Sequence, residues 1–192
     1  MGSLPLQPKQ SGRGETQAEG VGKDVNIDDN NVDDDYYKTN PTIFGRILDG
    51  TIPSITIKET LTLLAFEDKI PRAPLHALII SKQYIPSVKS LTTKDIPMLQ
   101  EMKNLAIEII QHYYPQTIGT KDYILCYHIP PFNSVDHIHL HVLGPKSQMN
   151  FIYKYGKYLT DTCWCISHES LITKLELEKK EREEDNNNVE DL

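Results

Sequence analysis

The chain has 192 residues, 39% of them hydrophobic and 24% charged, with a formal net charge of −7, which is long enough for one domain with a sizeable core plus tails. Residues 1–40 and 174–192 each carry four basic and eight acidic residues, so the middle is close to neutral and a broad basic nucleic-acid surface is not expected. No apolar run approaches the roughly 20 residues of a membrane span and the polar start lacks a signal-peptide core; three cysteines without a Cys-x-x-Cys spacing give a zinc ribbon no support and fit reduced thiols of the cytoplasm or nucleus.

Residues 1–40 are rich in Gly, Gln, Asn and Asp and poor in aliphatics, and are expected to be a disordered acidic tail. Order is expected to start at Asn40-Pro41, with Asn as N-cap and Pro at the first helical position. Ile43, Phe44 and Ile47 then share one helical face, and Gly50 ends the helix. The alternation of Ile55 and Ile57 within 54–58 predicts a strand, and 63–66 predicts a second. Two prolines force an extended loop over 68–74. A third strand, 76–81, is almost wholly apolar and should be central, buried on both faces.

Thr92 and Asp95 form a capping signal for a long helix to about Tyr113, whose core stripe is Leu99, Met102, Ala106, Ile109 and Tyr113. A fourth strand is expected over 123–128, then a rigid Pro130-Pro131 loop, then a fifth strand over 138–143. A last helix from Ser167 to about Lys180 frays into the acidic extension 174–192. Strands and helices mix without a regular βαβ repeat, which predicts an α+β domain on a mainly antiparallel sheet of about five strands.

The strongest feature lies at the fifth strand, Asp136-His137-Ile138-His139-Leu140-His141-Val142-Leu143. Strand side chains alternate, so His137, His139 and His141 share one face and Ile138, Leu140 and Val142 the other. Imidazole, with an unperturbed pKa of about 6.5, can serve as nucleophile, base or acid near neutrality. A solvent-facing polar strand would also alternate, but such faces are more often Thr, Lys or Glu. His-x-His, with Cα atoms about 6.6 Å apart, also suits two zinc ligands. The outer pair is about 13 Å apart, so one ion would need one or two of the three plus a distant ligand such as His76 or His128.

His137-Ile138-His139-Leu140-His141-Val142-Leu143 resembles the His-φ-His-φ-His-φ-φ signature of the histidine triad superfamily of nucleotide hydrolases and transferases. Thr42 to Ile47, Leu64 to Asp68, and Pro74 to Ile80 resemble the corresponding segments of its nucleotide-binding-protein branch in the same order, and the likeness covers roughly residues 41–173. The resemblance implies attack by the middle histidine, His139, on the α-phosphorus of an AMP-containing substrate, an adenylyl-histidine intermediate, and release of AMP by water. It makes His141 a contact to the phosphate or reacting oxygen, His137 an orienting group, and His76 the fourth histidine of the site.

Ser134 matches a family serine that hydrogen-bonds the phosphate and leaving group, and Asn133 precedes it. By the same resemblance Ile43, Phe44, Ile47, Ile52 and Phe66 would flank the base and Asp68, with Lys69 beside it, would accept from the ribose. Read alone, those apolar positions are core residues and Asp68 a turn residue. Three departures stand out. Gln83-Tyr84-Ile85 replaces a family Lys-His-Ile, Lys69 replaces an aliphatic residue, and His128 is extra, with a plain reading as a strand-end histidine satisfied by the loop.

The resemblance implies an adenosine 5′-monophosphoramidase cleaving AMP from an amine, lysyl-AMP among its candidate substrates, without a cofactor or metal and as a homodimer. Rival expectations are a dinucleoside polyphosphate hydrolase, an aprataxin-like remover of AMP from DNA ends and, from another class, a non-catalytic nucleotide-binding interaction module. Neither a membrane nor a nucleic-acid partner is expected.

Overall fold

A computed structural model describes residues 40–190, with side chains described to residue 185; the disorder expected of the N-terminal tail falls on residues 1–39, outside that range. Six strands form one antiparallel sheet: β1 (Thr56–Glu59), β2 (Leu63–Glu67), β3 (Leu75–Ser81), β4 (Ile124–His128), β5 (His139–Gly144) and β6 (Cys165–Ser167), in the order β1-β2-β3-β5-β4-β6. Among the described residues four α-helices accompany it: α1 (Ile43–Leu48), α2 (Ile96–Tyr113), α3 (Gln116–Thr120) and α4 (His168–Glu190). This is the expected α+β domain, with one more strand than the sequence suggested. The missed β6 is three residues long and pairs only with β4, too short for an alternation to register.

One face of the sheet carries Leu63, Ala65, Ala77, Ile79, Leu125, Tyr127, Leu140 and Val142, which pack with Leu99, Met102, Ala106 and Ile109 of α2 and Leu171 and Leu175 of α4. The spacing of the α2 residues places them on one helical stripe, which buries its apolar surface against the sheet. A capping box between Thr92 and Asp95 starts the turn that leads into α2. The central strand β3 is buried from end to end, as its apolar run requires.

The second face carries Leu64, Phe66, Leu78 and Ile80 together with His76, His139 and His141. It is not open to solvent. Phe44 of α1 covers one part of it, and Tyr158, which follows a π turn at Tyr153–Lys157, covers another. The side of β5 that presents imidazoles is therefore as buried as the aliphatic side.

The start of α1 differs from expectation. Thr42, not Asn40, is the N-cap, its hydroxyl accepting from the amides of Phe44 and Gly45. Asn40 is turned inward instead and is 2% exposed. At the other end Gly50, at φ +80°, takes the left-handed conformation that closes the helix. α4 runs ten residues past the expected end, through the acidic extension, with i,i+4 pairs Lys174–Glu178 and Lys179–Glu183 along it. No helix of the described residues is long and apolar enough to cross a membrane.

Candidate active site

β5 begins at His139, and His137 sits two residues before it, where Ile138 extends the pairing through its N–H to the Ile85 carbonyl at 2.7 Å. His137 is held at both ring nitrogens. Nε2–H donates to the Ser81 carbonyl at 2.8 Å, and Nδ1 accepts from Asn40 Nδ2 at 3.0 Å. The Asn40 amide can point only one way, because its Oδ1 must face the Thr42 backbone N–H, 3.3 Å away. Tyr84, where the family pattern has a histidine, packs edge-on against the His137 ring at 5.6 Å.

His139 Nδ1–H donates to the carbonyl of His137 at 2.7 Å. A carbonyl cannot donate, so Nδ1 carries the proton and Nε2 keeps its lone pair. Burial pushes the His139 pKa down to about 4 against the opposing effect of that hydrogen bond, so the ring is neutral at pH 7.

A second chain of donors fixes His141. The Arg72 backbone N–H donates to His76 Nδ1 at 3.2 Å, so His76 carries its proton on Nε2 and donates it to His141 Nδ1 at 3.1 Å. Asp68 Oδ2, 3.4 Å from the same Nε2, shares that proton. His141 must therefore carry its proton on Nε2, which is buried and has no hydrogen-bond partner among the described residues. Burial, then the neighbouring His139 and His76, hold His141 well below the usual imidazole range, and burial takes His76 and His137 down to about 4. An orphaned buried donor costs roughly 1–3 kcal/mol and marks the position where an acceptor on a ligand belongs.

Among the described residues two sets of groups have ligand atoms within 4.8 Å of one another, His128 with His139 and His141, and Asp68 with His76 and His141. Their hydrogen bonds do not suit a metal. His141 Nε2 and His76 Nε2 both carry protons, and moving either proton would set two donors against each other along the Arg72–His76–His141 chain.

Of the expected pocket residues, Phe44 reaches the imidazoles, with ring centroids 5.2 Å from His139 and 5.8 Å from His137 and an edge contact to Phe66 at 5.7 Å. Ile47 packs on that cluster, Ile43 is 49% exposed and Ile52 is half-buried. Asp68 is both a turn residue and a site residue: Oδ1 accepts from the Ile70 amide at 2.7 Å while Oδ2 faces His76. Lys69 points outward. Asn133 uses its amide N–H groups inside its own loop, on the Val135 carbonyl and Asp136 Oδ1. Ser134 is exposed and makes no hydrogen bond among the described residues.

Sequence reading missed Asn40, Ser81 and Tyr158, which hold or cover the histidines. Asn40 lies 97 residues from its partner His137 and Ser81 lies 56 from it, so no local pattern links them. The one signal available was a polar residue just ahead of a helix cap.

A buried neutral histidine with a free Nε2 lone pair, an orphaned N–H donor on the neighbouring histidine and an aromatic wall make this the site of a histidine triad protein, and the chain belongs to that family. The family described as scavenger mRNA decapping enzyme, C-terminal binding, matches residues 41–155. Adenosine 5′-monophosphoramidase HINT3 of Danio rerio is 34% identical over 116 residues, covering 60% of this chain and 69% of the relative. The Mus musculus protein of the same name is 30% identical over 135 residues, covering 69% and 80%. Among solved structures, a HIT family hydrolase from Legionella pneumophila Philadelphia 1 is 32% identical and matches 53% of this chain and 90% of that one at a TM-score of 0.49.

Proposed function

We propose that the chain is an adenosine 5′-monophosphoramidase, which hydrolyses the P–N bond of AMP linked to an amine through an adenylyl-His139 intermediate. The observation that carries this reading is the 2.7 Å bond from His139 Nδ1 to the His137 carbonyl, which leaves Nε2 as a nucleophile in a dry site. The similarity to relatives named for this activity supports the choice of substrate class.

In this reading His141 Nε2–H donates to a phosphoryl oxygen as charge builds on it; loss of such a donor is typically worth about 3 kcal/mol. His76 and Asp68 keep His141 in the donor tautomer, and His137 holds His139. The base packs against Phe44 with Ile43, Ile47 and Phe66, and the ribose reaches the remaining lone pairs of Asp68. Ser134, its hydroxyl unengaged, is the loop donor to the leaving group. No step calls for a metal or cofactor. The enzyme is read as a homodimer of the cytoplasm or nucleus, a reading that rests on family resemblance and on the thiol state of the cysteines; sedimentation tests the first part.

A substrate panel tests the assignment. Adenosine 5′-phosphoramidate and lysyl-AMP are expected to give higher kcat/KM than a diadenosine polyphosphate or 5′-adenylated DNA. Turnover of either of the last two without turnover of the amides would replace this reading with the corresponding rival.

A further inference from the structure

His128 closes β4, and its ring has no assigned part in the reaction just described. Two residues beyond the Cys126 and His141 pair of the β4–β5 ladder, it lies opposite His139 on the histidine face. One ring nitrogen each of His128, His139 and His141 lies within 4.8 Å of the others. His128 also lines the same narrow cleft as His139, His137 and Asn133.

Hydrogen bonding separates this ring from the other four. His137, His76 and His141 each accept a hydrogen bond at Nδ1, from Asn40, Arg72 and His76, so a second proton on any of them breaks that bond. A proton on His139 Nε2 removes the attacking lone pair. His128 donates from Nε2 to the Lys157 carbonyl at 3.2 Å, and its Nδ1 has no partner among the described residues. A proton placed there breaks nothing.

The reaction needs such a place. Expelling an amine consumes a proton, and hydrolysis of the adenylyl-histidine returns one. We infer that His128 is the general acid and base of this site, a reading that rests on His139 as nucleophile. In the first step a bond forms from His139 Nε2 to phosphorus, the P–N bond breaks with its electron pair on nitrogen, and the proton on His128 Nδ1 passes to that nitrogen. In the second, water oxygen bonds to phosphorus, the pair of the breaking bond returns to His139 Nε2, and the water proton goes to His128 Nδ1. The sum is AMP-amide plus water giving AMP plus amine.

The groups facing the ring are His139 and His141 of β5, His76 of β3, Cys165 of β6, and Lys157 and Tyr158 of the π turn and its end. Burial lowers the His128 pKa, the bond to the Lys157 carbonyl opposes this, and the Lys157 ammonium adds to it. A phosphoryl oxyanion seated among these rings acts in the opposite sense and favours the imidazolium.

His128→Gln retains an amide N–H able to reach the Lys157 carbonyl but cannot carry a proton. The comparison is between single-turnover rates for an alkylamine phosphoramidate of AMP, whose leaving group needs a proton, and for the 4-nitrophenyl ester of AMP, whose leaving group does not. The amide-to-ester ratio is expected to fall about 100-fold in the variant. A ratio unchanged within about threefold, with AMP still captured on His139, overturns the His128 assignment alone; absence of AMP on His139 in the unaltered enzyme overturns the nucleophile and this assignment together. Should the variant fail to fold, imidazole nitrogen NMR of the unaltered protein with AMP bound decides. His128 is expected to be the first of the five rings to become doubly protonated as the pH is lowered, and any other ring preceding it overturns the proposal.

Discussion

Asn40 and His137, 97 residues apart in sequence, share a buried hydrogen bond of 3.0 Å that fixes the side-chain tautomer of His137. The carbonyl of that same His137 then fixes the tautomer of His139. Asn40, two residues ahead of the α1 N-cap Thr42, is thus two hydrogen bonds from the nucleophile, and Asn40→Ala should act at that distance. It leaves His137 Nδ1 buried without a donor, at a stability cost of roughly 1–3 kcal/mol, and is expected to lower kcat more than it raises KM. Urea unfolding with steady-state kinetics reads both. A variant with wild-type stability and kcat would remove Asn40 from the account.

Gly45 tests the same joint by crowding it. A Cβ there would stand 2.3 Å from the Asn40 carbonyl oxygen and 2.9 Å from its Cγ, whereas at Gly119 nothing lies within 4 Å. Gly45→Ala is expected to cost about 1–3 kcal/mol through overpacking and to reduce kcat/KM, with Gly119→Ala sparing both. Equal melting temperatures for the two variants would contradict this.

The histidines were legible in the sequence because a strand repeats every two residues and three imidazoles fell on that period. The α2 stripe and the apolar β3 were legible for the same kind of reason. What escaped were features set by distant partners: the inward turn of Asn40, the grip of the Ser81 carbonyl, and Tyr158 over the rings. α4 outran its expected end because its acidic stretch has no apolar stripe by which to measure it, and helical charge pairing does not depend on one. His128 was read as satisfied by its loop. One nitrogen is satisfied, but by Lys157, 29 residues away, and the other has no hydrogen-bond partner among the described residues.

Acid should destabilise the protein well before its carboxylates titrate. Burial holds His76, His137 and His139 at about 4 in the folded chain, against about 6.5 when unfolded. Between those values the unfolded state binds more protons, so stability is complete above about pH 6.5 and is lost as the pH falls toward 4, by on the order of a few kcal/mol per group. The melting temperature is expected to decline through this window, and His137→Gln to make the decline shallower. A flat profile from pH 7 to about 4.5 would contradict the buried neutral histidines.

Activity is expected to survive exhaustive chelation, because the protons on His76 Nε2 and His141 Nε2 occupy the positions a metal would need. Loss of turnover on chelation, restored by added zinc, would show that those tautomers are wrong.

The central claim is that His139 attacks phosphorus. Rapid mixing with an AMP-amide, acid-free quenching and peptide mass spectrometry test it directly. The account predicts AMP on the peptide containing His139, absent in His139→Ala, with AMP binding by that variant retained within about tenfold, or roughly 1.4 kcal/mol. Turnover without an adduct, or an adduct on another residue, would contradict it.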